Sequence, residues 1–119
     1  MYTGTTPHIE FTFDEVFDLT NLDQVWITFK TPKIETKQYE KTYDISDDNV
    51  TIVPEYFKIE LDLSQEQTLE MTGLNNVECQ LRFLFSDGTA PITNIVTIPI
   101  ERVLKGGVIT SVNRFDYRF

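Results

Sequence analysis

Between Phe57 and Gly88 the chain alternates apolar and polar side chains, breaks off, and alternates again. Phe57, Ile59, Leu61 and Leu63 are interleaved with Lys58, Glu60 and Asp62. A period of two sends successive side chains to opposite faces of a strand, so this run predicts a strand with one face in the core. From Val77 the same period returns, with Val77, Cys79, Leu81, Phe83 and Phe85 set against Glu78, Gln80, Arg82 and Ser86. Between the runs, Ser64 and Gln67 have the spacing of a capping box, and Gly73 suits the left-handed position past a helix end. About two turns of helix fit there, too few to hold without packing. Asp87-Gly88 is a hairpin signal, because Gly takes positive φ at no steric cost.

The rest of the chain reads as further strands packed against these two. Residues 1–6 are small and polar and predict a flexible lead-in. Ile9, Phe11 and Phe13 form the apolar face of a first strand that carries His8, Glu10 and Thr12 outward. Asp14–Leu22 is a connection tacked to the core by Val16, Phe17, Leu19 and Leu22. In Gln24–Thr31, Val25, Ile27 and Phe29 face one way and Gln24, Trp26, Thr28 and Lys30 the other. Pro32-Lys33 breaks that strand, since Pro cannot donate to a sheet ladder. Ile34–Ile45 predicts a long, exposed, charged strand near a sheet edge, with Glu35, Lys37, Tyr39, Lys41 and Tyr43 on one face. A turn follows at Ser46–Asn49, then a short strand with Val50 and Ile52 that Pro54 ends. After Gly88 the chain returns through Ile92–Ile100, with Val96, Ile98 and Ile100 sharing a face and Pro99 marking an edge or end. Gly106-Gly107 is a turn or hinge before the C-terminal residues.

About seven strands with turn signals between them predict an all-β sandwich, because each one-faced strand must bury that face against a second sheet. The helical crossing between strands five and six resembles the corresponding connection in immunoglobulin-like domains. The Cys…Trp…Cys signature is absent, and Pro32-Lys33 joins strands two and three so tightly that they predict a hairpin within one sheet. Residues 1–110 are read as one domain and 111–119 as an aromatic tail.

Charge narrows the partners. The 119 residues carry a net charge of −9, which disfavours nucleic acid and anionic membrane surfaces, since both need clustered Lys and Arg. No apolar run approaches the length of a transmembrane helix. The opening MYTGTTPHIE has neither the basic start nor the apolar centre of a secretory signal. The single Cys79 cannot form an internal disulfide and falls on an inward position, so it reads as a small buried hydrophobe. Synthesis in a reducing cytoplasm is expected, with later incorporation into a particle left open.

No catalytic or cofactor chemistry is legible. His8 is the lone histidine, and Asp44, Asp47 and Asp48 with Asn49 lack the spacing of a calcium loop, so no metal site is expected. A nucleophile-and-base pair would require His8 to meet Cys79 or a serine. Glu60 and Glu78 fall on outward faces of different strands, and paired-carboxylate catalysis would require them to converge. Lys105 before Gly106-Gly107 has no phosphate-loop context. Binding fits the residues better. Trp26, Tyr39 and Tyr43 fall where alternation predicts solvent or a second packing surface, and a hairpin would let Trp26 share a face with a tyrosine. A register slipped by one residue would put Trp26 in the core instead. Leu84 and Ile95 also fall outward. In the tail, Phe115, Tyr117 and Phe119 alternate with charges, suited to covering an edge of their own sheet or adding a strand to a neighbour's.

Several segments together carry a family resemblance: a T-G-T-T-P lead-in at Thr3–Pro7, the V-W-I-T-F-K strand, the I-E-L-D-L-S-Q-E-Q-T-L segment, the V-E-C-Q-L-R strand and the D-G turn. With these the chain resembles small proteins encoded in phages and prophages of Gram-positive bacteria, similar to the N-terminal domain of phage baseplate upper proteins. The resemblance covers roughly residues 1–110 and implies a non-enzymatic virion or tail-associated component that assembles with itself or with other virion proteins. A carbohydrate- or receptor-binding module, with a host-surface glycan as ligand, is the alternative.

Overall fold

The computed structural model describes residues 1–15, 17–101 and 103. Its strands are β1 (His8–Thr12), β2 (Leu22–Lys30), β3 (Glu40–Asp44), β4 (Val50–Val53), β5 (Lys58–Asp62), β6 (Asn76–Phe85) and β7 (Val96–Pro99), with one helix, α1 (Gln65–Leu69), between β5 and β6. Every strand pairing is antiparallel, and two sheets result, β1-β5-β4 and β3-β2-β6-β7. The protein is all-β in two layers, and one core cluster draws side chains from both sheets.

Strand alternation decides what that core contains. Ile9 and Phe11 of β1 lie opposite Leu61 and Ile59 of β5, and all four are buried. Val25, Ile27 and Phe29 of β2 lie opposite Phe83, Leu81 and Cys79 of β6, and these too are buried. At one end Phe13, Phe17, Phe83 and Phe85 make a ring cluster, and Leu19 and Leu22 of the 14–22 connection pack against the core as expected. α1 begins with the capping box read from the sequence. Ser64 Oγ accepts from the Gln67 N–H, and Gln67 Oε1 accepts from the Ser64 N–H. Gly73 and Gly88 sit at φ 90° and 89°, in the region that favours glycine.

Three expectations are corrected. Residues 34–39 are loop, and only Glu40–Asp44 of the long predicted strand is β. The polar groups of that loop are spent on the connection between α1 and β6. The buried carboxylate of Glu35 accepts from the N–H groups of Asn75 (3.1 Å) and Asn76 (2.9 Å) and from the Asn75 side chain. Lys37 Nζ donates to the carbonyls of Glu70 and Thr72. Second, the lead-in is packed. Met1 and Thr5 are buried, and the Glu101 N–H donates to the Met1 carbonyl while Thr68 Oγ1 donates to the Thr5 carbonyl. Third, Phe57 does not belong to the strand: it closes the 3-10 turn Pro54–Tyr56 at φ 53°, a left-handed conformation that costs a side-chain-bearing residue about 1–2 kcal/mol. The expectations for Val16, for Gly106-Gly107 and for the 111–119 tail lie outside the described residues.

Buried acids make the fold sensitive to alkali. Cys79 is fully buried, which pushes its thiol up to about 12, and burial raises Tyr39 to about 12 and Tyr43 in the same direction. Each group is held neutral in the folded state. The stabilisation is complete below the unfolded pKa and drains away as pH rises toward the folded one. Loss therefore begins near pH 9.0 with Cys79 and steepens from 10.0 with the tyrosines. For Cys79 alone the slope is about 1.4 kcal/mol per pH unit. Urea midpoints should fall across that window, more gently at its start in Cys79→Ala, while the thiol stays unreactive to thiol reagents in the native protein. A flat midpoint across the window would contradict this.

Candidate interaction surface

β2 and β6 form the centre of the four-stranded sheet, and their outward positions make its solvent face. Trp26 lies on it, half-buried, between Asp44 of β3 and Arg82 of β6. Arg82 in turn bridges to Ile92, so a row Asp44–Trp26–Arg82–Ile92 crosses the sheet. Gln24 lies opposite Leu84, and Thr28 opposite both Gln80 and Thr42. Of the two registers left open for Trp26 the outward one is observed, because Val25 and Ile27 on either side are the buried residues. Leu84, Ile92 and Ile95 are 37%, 56% and 56% exposed. A groove of about 130 Å³ lies beside them, lined by Thr28, Lys30, Glu78, Gln80 and Ile95.

The tyrosines are not part of this face. Tyr43 pairs with Ile27 and points inward, 2% exposed, edge-on to Phe29 at 6.0 Å between centroids. Tyr39 is half-buried against the same core. The parity of β3 decides this: Asp44, Thr42 and Glu40 take the outer positions opposite Trp26, Thr28 and Lys30. The expected convergence of Trp26 with a tyrosine is therefore corrected. Phe115, Tyr117 and Phe119 lie outside the described residues.

In comparisons with known proteins, no family model, no curated protein and no solved structure matches this chain.

The carboxylates weighed for catalysis do not meet. Glu60 is on the outer face of one sheet and Glu78 on that of the other. Asp44 and Asp47 form a turn, in which Asp47 Oδ2 accepts from the Asp44 N–H and Asp44 Oδ1 accepts from the Ser46 N–H. His8 is not an isolated strand residue. Its Nδ1 is 2.7 Å from Asp62 Oδ1, and this hydrogen bond, aided by the charges of Asp62, Glu60 and Glu10, raises the imidazole above its ordinary 6.5. Sequence pattern placed His8, Glu10, Glu60 and Asp62 outward but carried no sign that they meet, because β1 and β5 are about 50 residues apart in the chain. No helix among the described residues is long and apolar enough to cross a membrane.

Proposed function

We propose that this protein is a non-enzymatic assembly module that docks through the outer face of its four-stranded sheet, with a second copy of itself as partner. The row through Trp26 carries the reading. An acid, Asp44, stands on one side of the indole and a base, Arg82, on the other. A copy related by a twofold axis running along β2 over Trp26 would set each Arg82 against the other's Asp44 and stack the two indoles. That is the self-complementarity an isologous interface requires. Trp and Arg at the centre of a patch, rimmed by polar groups, are the residues that contribute most at protein interfaces.

The resemblance to phage and prophage proteins supports placing such a module in a virion, as a tail or baseplate component that contacts itself or other virion proteins. The strand order supports an immunoglobulin-like sandwich. With β1 to β7 taken as strands B, C, C′, D, E, F and G, the two sheets become B-E-D and C′-C-F-G, and α1 falls on the E-to-F connection.

Sedimentation equilibrium tests the reading. The chain should self-associate, Trp26→Ala should weaken association roughly 30-fold, the size of a hot-spot loss of about 2 kcal/mol, and Arg82→Asp should weaken it by repulsion. Combining Arg82→Asp with Asp44→Arg should restore it. A protein that stays monomeric and whose Trp26 fluorescence is quenched by sugars would overturn the assembly reading in favour of glycan binding.

A further inference from the structure

On the opposite side of the molecule, the outer face of β1-β5-β4, the register sets His8 directly across from Asp62 and Glu10 directly across from Glu60. Like charges opposite each other in an antiparallel pair are destabilising, so Glu10 and Glu60 need a cation between them. Lys58 supplies one, with Nζ 3.1 Å from Oε1 of each. With a neutral imidazole, three carboxylates against one ammonium still leave the cluster two charges negative. His8 Nε2 also faces these carboxylates, 3.7 Å from Glu10 Oε1 and 3.9 Å from Glu60 Oε1. The side chains are sheltered, with His8, Glu10 and Glu60 only 19%, 16% and 23% exposed.

We propose that His8 Nε2, Glu10 Oε1 and Glu60 Oε1 form a binding site for a zinc-class divalent cation. These three donor atoms all lie within 4.8 Å of one another. Ligands about 2.0–2.1 Å from a tetrahedral zinc stand roughly 3.4 Å apart, so the two histidine-to-glutamate separations need to close by only a few tenths of an ångström. Imidazole nitrogen and carboxylate oxygen are both zinc donors, and sites with three protein ligands keep the fourth position for water or another ligand. Asp62 completes the arrangement. Its carboxylate takes Nδ1–H, which fixes the tautomer that leaves the Nε2 lone pair toward the two glutamates, as carboxylates behind metal-bound histidines do. Lys58 holds the place of the metal and must swing out as it enters, which a flexible four-carbon stem allows. The bound ion clips β1 to β5 across their outer faces.

Titration calorimetry of the full chain with zinc chloride at about pH 8, where the ordinary imidazole is unprotonated, tests the assignment. One zinc per chain is expected, with an accompanying rise in Tm, and cobalt should give the visible absorption of a four-coordinate site. His8→Gln and Glu60→Gln, checked for native circular dichroism, should lose binding. Asp62→Asn should weaken it roughly tenfold. Lys58→Met should tighten it about tenfold by removing a competing, partly screened charge. The proposal is overturned if neither the unaltered protein nor Lys58→Met binds zinc at concentrations up to about 1 mM, if binding survives His8→Gln, or if Lys58→Met leaves the affinity unchanged.

Discussion

Phe83→Ala is expected to cost about 4 kcal/mol, the range for removing a buried phenyl ring. Phe83 is 2% exposed and lies opposite Val25 in the β2–β6 pair at the centre of the four-stranded sheet. Its ring is edge-on to Phe13 at 5.5 Å and to Phe17 at 5.0 Å, and is stacked near Phe85. Alanine would remove a ring that the other three all touch. Aromatic pairing beyond area burial adds about 0.5–1.5 kcal/mol per pair. Leu84→Ala is the control. It is the next residue on the same strand, turned outward and 37% exposed, and should change stability by no more than about 0.5 kcal/mol. Urea denaturation of the two variants checks the pair; equal losses would mean that the inward and outward faces of β6 have been misassigned.

Glu35→Ala should destabilise by about 2 kcal/mol although it removes a charge from a loop. The carboxylate of Glu35, itself 7% exposed, satisfies the N–H groups of Asn75 and Asn76 at the start of β6, and alanine leaves the half-buried Asn76 donor without an acceptor while exposed Asn75 can turn to water. An unsatisfied buried donor costs about 1–3 kcal/mol. Glu35→Gln separates charge from geometry. Its amide oxygen can still take both backbone N–H groups, while its NH₂ meets the Asn75 side chain where Glu35 Oε2 now accepts. A loss of about 1 kcal/mol is expected for the glutamine variant, again by urea denaturation, with hydrogen exchange at Asn75 and Asn76 as a local readout. If alanine costs no more than glutamine, the carboxylate is not what anchors the loop. The same reasoning explains why residues 34–39 are no strand: an inward glutamate whose acceptors are consumed by another segment holds the backbone away from the β2 ladder.

Where one face of a strand was apolar, the pattern along the chain was enough. Alternation in β2, β5 and β6 assigned Val25, Ile27, Phe29, Ile59, Leu61, Cys79 and Leu81 to the core and Leu84 to the outside. Local chemistry placed the Ser64 cap and the Gly73 and Gly88 positions, because each depends on residues within a few positions of itself. In Ile34–Ile45 both faces are polar, so nothing local could set the parity of Tyr43. Pairing of Tyr43 with Ile27 set it, and sent the ring inward.

The lead-in, small and polar in sequence, was placed by its bonds to Glu101 and Thr68, which lie just past β7 and in α1. The two candidate surfaces divide the same way. By itself the sequence placed His8 outward, since a period of two separates the faces of any half-buried strand, and left Trp26 between two registers. Only the tertiary structure decided what stands across from them on neighbouring strands: Asp44 and Arg82 on one sheet, Glu60 and Asp62 on the other. Strand partners and register are contacts between distant residues, and the alternation within a single strand carries no record of them.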